Sequence, residues 1–271
     1  MAHSVRRIFV ALVLLGVAVA VLASLGAWQL RRADERRAIA ASIEAGRAQP
    51  PLVLTPETQD DALTAWRPAQ ATGQWLNQYS VLLDNRNQDG KPGYWLATPL
   101  LLDATSHQAV LVLRGWLPRS LSPPSSSSAS PMSSAPQLPD TPAGVQSVTG
   151  ELSARVPRLF ELWSLGGTSQ GQLPDMLPAA DGGVPQVQNL ELPAYARATG
   201  LSLLPAVLMQ TRGADTLVRD WPQPSIDYNQ NRGYALQWFS FAAIAAAAWL
   251  VLAWRALRRG RERQFDDSQN P

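Results

Sequence analysis

The sequence predicts a membrane protein in which two transmembrane helices flank one extracytoplasmic α+β domain. That domain is expected to be mainly antiparallel β, with a partly closed barrel among the arrangements open to it. Three observations predict this. Two uncharged apolar runs, residues 8–28 and 234–254, lie near opposite ends of a chain of 271 residues. Between them, short β-prone runs are separated by polar turns. Hydrophobic residues make up 46% and charged residues only 16%, which argues against disorder and leaves part of the surface facing something other than water. The mean hydropathy of −0.10 is nevertheless too polar for a many-spanning transporter.

Residues 8–28 carry no charge, and a helix of that length reaches about 31 Å, the thickness of a hydrocarbon core. A cleaved signal peptide would have a shorter apolar core, although the small residues Ala23, Ser24, Gly26 and Ala27 could attract a peptidase. Residues 234–254 are equally long and uncharged, with Trp238 and Trp254 near opposite ends as an aromatic belt would set them. Arg255, Arg258, Arg259, Arg261 and Arg263 follow, which distinguishes this run from the buried helix of a soluble protein. Around the first run the arginine rule points the other way, because Arg31, Arg32, Arg36 and Arg37 outnumber Arg6 and Arg7. Long segments translocate largely regardless of charge, so the second run decides the orientation. The expected layout is a cytoplasmic tail (1–7), a first transmembrane helix (8–28), a periplasmic α+β domain (29–233), a second transmembrane helix (234–254) and a basic cytoplasmic tail (255–271). Both termini are then cytoplasmic and the membrane is an inner membrane. The short N-terminal tail, without a long presequence, favours a bacterium over a mitochondrion.

Within the middle domain, residues 31–47 hold good helix formers and should continue the first span as a helix that stops before Pro50 and Pro51. Strands are expected at 52–54, at 69–76 around Gly73, at 80–85, and most strongly at 93–102 and 109–117. The short polar connections 87–90 and 103–108 predict an antiparallel meander, in which Pro99 would prefer an edge or a bulge. Residues 120–142 are rich in serine and proline and should form a disordered surface insert. Structure resumes at 145–152 and at 159–165, which contains Trp163. Residues 189–200 read as a short helix, with Pro193 in its first turn and Gly200 as its stop. A late strand at 203–211 and a proline-containing return over 219–231 complete the domain.

Several chemistries are excluded. There is no cysteine, hence no disulfide framework and no thiolate metal site, and His3 and His107 are the only histidines. The net charge of +2 is no footprint for nucleic acid. No nucleophile elbow, phosphate loop or dinucleotide fingerprint occurs. His107 sits in a polar turn beside Ser106 without an orienting carboxylate on a convincing spacing, and the adjacent pairs Asp34-Glu35 and Asp60-Asp61 read as solvated surface. No catalytic residue and no metal site are expected.

What stands out is a set of aromatic, amide and arginine side chains at the inner ends of the two runs: Trp28, Gln29, Arg31 and Arg32 on one, Arg232, Tyr234, Gln237 and Trp238 on the other. The plain reading is interfacial anchoring, since indole and phenol rings favour headgroups and arginine snorkels. Yet Trp28 and Tyr234 must lie at the same membrane face, and Tyr234, Trp238 and Phe241 recur along one helix face. Helices meeting there would form an aromatic crevice rimmed by arginines, suited to a planar amphipathic ligand with carboxylates.

These motifs also carry a resemblance. Gly26, Trp28, Gln29, Leu30 and Arg32 are followed by Arg67-Pro68, Gly73, Asn85-Arg86, Gly90, Gly93, Pro99-Leu100, Arg114-Gly115-Trp116 with Pro118, Asn189-Leu190 through Tyr195-Ala196, Thr199-Gly200-Leu201, and Gly233-Tyr234-Ala235 with Gln237-Trp238-Phe239. In this order, between two spans, the chain resembles the Surfeit-locus family of cytochrome c oxidase assembly factors. The resemblance implies a role in building the haem a centres of the oxidase's largest subunit. It implies haem a binding and transfer from haem a synthase, without catalysis. Some members carry a histidine three residues before the tyrosine that opens the second span. Here Asn231 stands there, and asparagine is a poor iron ligand. Contact with haem would then run through Trp28, Tyr234, Trp238 and the arginines. Two alternatives stand beside this reading. One is a ligand-free scaffold that holds oxidase subunits through exposed strand edges. The other is a membrane-anchored hydrolase built on Ser106 and His107.

Overall fold

The computed structural model describes residues 2–119, 138–159, 172–180 and 182–268. The serine- and proline-rich insert thus falls outside the described residues over 120–137, while 138–142 belong to neither helix nor strand. The candidate strand around Trp163 also lies outside them from residue 160 onward. The chain divides into two compact units, Met1–Ala41 with Pro224–Pro271, and Ser42–Gln223.

The first unit is helical. Helix α1 (Ala2–Arg47) is uninterrupted. The apolar run and the charged stretch after it merge because no proline breaks them, and the chain leaves the helix just before Pro50 and Pro51. In order of sequence the last helix is α3 (Tyr228–Ser268). It begins at Tyr228 rather than at the expected Tyr234, and Asp227 is the reason. The Gln230 N–H donates to the Asp227 carboxylate at 3.2 Å, so an aspartate N-cap starts the helix two turns early. Both helices are long and apolar enough to cross a bilayer.

The second unit is β-rich. Its strands are β1 (Leu52–Leu54), β2 (Pro68–Trp75), β3 (Val81–Gln88), β4 (Lys91–Asp103), β5 (Gln108–Pro118), β6 (Val145–Ser153), β7 (Gln186–Val187) and β8 (Ser202–Gln210), with α2 (Leu192–Thr199) before the last. Five strands close on themselves in the order β2-β6-β8-β5-β4, and β4 returns to β2 through Gln74 opposite Leu101 and Trp75 opposite Leu100. The barrel is therefore closed. The expected meander is β3-β4-β5, and its Asp89-Gly90 turn has φ of 48° and 74°, the type I′ geometry that a tight hairpin favours. Three pairings, β1–β2, β3–β7 and β5–β8, are parallel. The last arises because α2, stopped by Gly200 at φ 69°, delivers β8 alongside β5.

Pro99 lies inside β4, at neither an edge nor a bulge. Its carbonyl accepts the Leu76 N–H at 3.0 Å. In a strand, a residue's N–H and C=O point to the same side. The missing N–H of Pro99 therefore faces the seam where β4 stops pairing with β3 at Ala97 and takes up β2 at Leu100. No ladder bond is needed there.

The barrel interior is filled by Ala69 and Ala71 of β2, Leu100 of β4, Val110 and Val112 of β5, Val148 and Leu152 of β6, and Leu204, Ala206 and Leu208 of β8. Leu111 and Leu113, which point the other way from β5, enter a second core with Val81, Leu83, Trp95, Trp116 and Tyr195. Strand β5 is thus buried on both faces, which is why its sequence is a continuous apolar run rather than an alternation. The α2 residue Tyr195 is fully buried and donates its hydroxyl to the Tyr79 carbonyl, and burial pushes its phenol well above the usual range.

Closure depends on a small residue. A Cβ added to Gly73 would come within 2.1 Å of the Leu101 carbonyl oxygen on β4. Gly73→Val should therefore pry β2 from β4 and cost on the order of 2 kcal/mol, seen as a lower melting temperature of the purified protein. An unchanged melt would mean that the β2–β4 closure does not hold the barrel together.

Candidate functional site

The candidate site residues lie in the helical unit, where α1 and α3 run antiparallel. Three hydrogen bonds fix their register. Trp249 Nε1 donates to the Leu12 carbonyl at 2.9 Å, Asn231 Nδ2 to Gln29 Oε1 at 2.7 Å, and Arg36 Nη1 to the Asp227 carbonyl at 2.9 Å. Ala33 and Ala235 are buried, at 3% and 1% exposure. Gly26 faces the ring of Phe239 so closely that an added Cβ would meet it at 2.9 Å. The crevice expected between the helices is therefore filled, by Phe239 against Gly26 and by the amide pair.

The same contacts place every candidate. Gln29 faces α3 and accepts a hydrogen bond from Asn231. Trp28 stands one residue before the facing Gln29, and Tyr234 one residue before the facing Ala235. In an antiparallel pair of right-handed helices, equal offsets of about 100° turn to the same side. Trp28 and Tyr234 therefore share one flank, and Arg32 and Trp238 follow them on it at i+4. Trp28 is 52% exposed and Tyr234 45%, so the rings lie open on the surface of the pair. Trp238 is steadied by Phe241, with ring centroids 6.3 Å apart at 78°. Arg31 and Gln237 project to the rear of their helices and are exposed. Arg232 falls on the opposite flank, beside a hollow that it shares with Tyr228 and Arg37. The expected rim of three arginines is split accordingly. Arg32 alone accompanies the aromatic rings, and it pairs with Glu35 at 3.1 Å in an exposed position. Such a pair exchanges readily.

Asn231, a poor iron ligand by its chemistry, packs between the helices. It is 8% exposed, its Nδ2 donates to Gln29, and its Oδ1 is buried without a hydrogen-bond partner among the described residues. Among the described residues no group of three histidine, cysteine or carboxylate side chains converges to hold a metal ion.

The arginine motifs of the β-rich unit are architectural. The positive φ of Asn85, 59°, coincides with the β3 irregularity that turns Arg86 inward. The Arg86 guanidinium stacks on Trp95 at 4.5 Å and donates to the Pro157 and Gln188 carbonyls at 3.1 and 3.0 Å. Burial pulls it down to about 10, against the pull of Asp84. Arg114 is the extra residue where β5 slips register against β4, and Gly115 at φ 153° leaves no room for a Cβ beside Leu217. Arg114 stacks on Trp75 at 4.9 Å and reaches Thr141 at 2.8 Å and Asp215 at 3.4 Å. Trp116 Nε1 donates to the Arg86 carbonyl at 2.7 Å, tying the two motifs together.

The hydrolase constellation is absent from the turn before β5. Ser106 Oγ donates to Asp103 at 2.6 Å, and the same carboxylate accepts the Ser106 and Thr105 N–H groups at 2.8 and 3.2 Å. His107 takes a positive φ of 52°, and its carbonyl accepts the Ser202 N–H. Ser106 is thus a turn residue, its proton committed to Asp103 rather than to an imidazole.

Comparison with known proteins follows the same lines. Residues 16–243 match the SURF1 family. A SURF1-like protein of Rickettsia felis is 36% identical over 98 residues, which is 35% of this chain and 41% of that protein. The cytochrome oxidase assembly protein SHY1 of Saccharomyces cerevisiae is 32% identical over 95 residues, 34% of this chain and 24% of that protein. A SURF1-like protein of Rickettsia conorii is 35% identical over 98 residues, 35% of this chain and 39% of that protein. The matched stretch spans less than half the length of each of these relatives.

Two measurements check this geometry. The chain has no cysteine, so pairs can be introduced cleanly. Gln29→Cys with Asn231→Cys should be joined by a short bismaleimide within one chain, whereas Arg31→Cys with Gln237→Cys should not. Equal yields would sink the helix register. In the turn, the hydrogen bonds from Ser106 and then Thr105 hold the Asp103 carboxyl below the usual carboxylate range. A lowered carboxyl pKa favours the folded turn above the ordinary aspartate range, and the benefit is lost as pH falls through the lowered value. Ser106→Ala should move the Asp103 titration upward, followed by carboxyl-carbon NMR, and an unmoved curve would remove the assigned bonds.

Proposed function

The chain belongs to the SURF1 family, and from that premise we propose that it is an assembly factor for haem–copper cytochrome c oxidase that binds haem a and hands it over as the largest subunit matures. Haem a synthase is the donor in this reading and the oxidase subunit the acceptor. The β-rich unit lies on the periplasmic side of an inner membrane, and both termini lie in the cytoplasm. The role is carriage, with no reaction assigned to the chain.

The observation that supports haem carriage is the shared flank of Trp28, Arg32, Tyr234 and Trp238. A porphyrin is flat, apolar over its faces and anionic at its propionates. Two indoles and a phenol at the edge of the hydrocarbon offer surfaces for stacking, and Arg32 offers a guanidinium that can turn from Glu35 to a carboxylate. These residues fit a porphyrin held by its face and its acid groups. They offer iron neither imidazole nor thiolate, because none of the four is a histidine or a cysteine. Binding without an axial bond suits a cargo that must be released. The scaffold reading has less to stand on, since the outermost strands β1 and β7 have only three and two residues for strand addition.

Purification of the full chain from cells making haem a tests the proposal. A stoichiometric haem spectrum is expected, and oxidase subunits that co-purify without haem would favour the scaffold. Trp28→Ala and Tyr234→Ala should each lower haem occupancy about fivefold, the worth of one aromatic stacking contact. The amount of protein in the membrane should not change. Unchanged occupancy and oxidase maturation in both variants would leave only anchoring.

A further inference from the structure

The flank opposite the aromatic rings carries a separate feature. Leu30, Ala33, Asp34 and Arg37 of α1 and Tyr228 and Arg232 of α3 line a hollow of about 210 Å³. Its floor is apolar, and Ala33 is 3% exposed. Its mouth is cationic, with two arginines against one aspartate. Among the described residues, neither Arg37 nor Arg232 takes part in an ion pair, in contrast to Arg32 with Glu35. Two arginines from different helices thus line one concavity, where Asp34 is the one acidic lining residue. The hollow follows directly on the apolar run that ends at Trp28 and precedes the one that opens at Tyr234. That is headgroup depth in a bilayer.

We infer that this hollow binds a phosphate oxyanion at headgroup level, with Arg37 and Arg232 clasping the oxygens and Tyr228 donating its hydroxyl. Guanidinium forks match phosphate geometry, and the volume accommodates a phosphate group while being too small for a porphyrin. An acidic phospholipid presents such a phosphate with its acyl chains lying along the helices. Inorganic phosphate from solution presents the same chemistry without the chains. Asp34 opposes the anion and weakens the site, which gives the inference a signature opposite in sign to simple loss of fold.

Native mass spectrometry of the full chain tests it. Micelles are supplemented in turn with phosphatidylglycerol, with phosphatidylcholine, and with phosphatidylglycerol plus inorganic phosphate. One retained phosphatidylglycerol per chain is expected, with little phosphatidylcholine. Arg37→Gln and Arg232→Gln should each reduce retention about fivefold, as expected for one arginine at an anionic surface. Asp34→Asn should increase it. Displacement by inorganic phosphate would support the same oxyanion site filled from solution, and resistance to it would support the lipid as the source. Equal retention of the two lipids, or retention unaltered in all three variants, would overturn the inference. All three side chains line an open surface, so folding is not at stake, and an unchanged circular dichroism spectrum verifies that.

Discussion

The hydrogen bond between Asn231 and Gln29 is the interaction on which the helical unit turns. An amide close to hydrocarbon has no water to satisfy it, so each of these side chains is costly alone and their bond offsets part of that cost. With the Trp249–Leu12 and Arg36–Asp227 bonds on either side, it fixes which face of α1 meets which face of α3. Once that is set, Gly26 must lie against Phe239, Ala33 and Ala235 must be buried, and Trp28 and Tyr234 must turn to a common side. The register these contacts set thereby decides how the aromatic and cationic side chains are distributed. It also holds residue 231 between the helices, with its Nδ2 donating to Gln29.

The β-rich unit answers to a different constraint, the closing of five strands around a narrow core. Small residues permit it: Ala69, Ala71 and Ala206 inside, and Gly73 and Gly150 where backbones approach. The buried guanidiniums of Arg86 and Arg114 then fasten irregular segments to the barrel wall through carbonyl oxygens, Thr141, Asp215 and indole faces. Burying a charge this way is costly unless its donors find partners. Both arginines recover part of that cost by stacking on tryptophan. The Asn85-Arg86 and Arg114-Gly115-Trp116 motifs therefore describe how this unit is built.

Much of this was legible in the residues. The two apolar runs, the meander with its Asp-Gly turn, and the short helix stopped by Gly200 follow from hydropathy, period and turn chemistry, which are local properties. Barrel closure was not legible, because it rests on Gln74 and Trp75 meeting Leu101 and Leu100, a pairing distant in sequence. The early start of α3 was legible in principle, since Asp227 followed by Gln230 is a capping signal, but the proline-containing approach to it reads as a return loop. Pro99 misled for a related reason: a strand can change partners midway, and a proline is tolerated at the change. The candidate site was legible as a set of residues and not as an arrangement. Spacing along one helix shows which side chains share a face. It cannot show that Arg32 keeps company with the rings while Arg232 lies across the pair, because that depends on which faces the amide bond brings together.

The closed seam between Gly26 and Phe239 bears on how a cargo would come and go. A flat molecule enclosed between two helices could escape only when they parted, at the rate of that opening. One resting on an outer flank slides off laterally, within the plane of the membrane, while the helices stay zipped. Its residence time would then track the number of rings beneath it, and shaving those rings would hasten departure without any gate being altered.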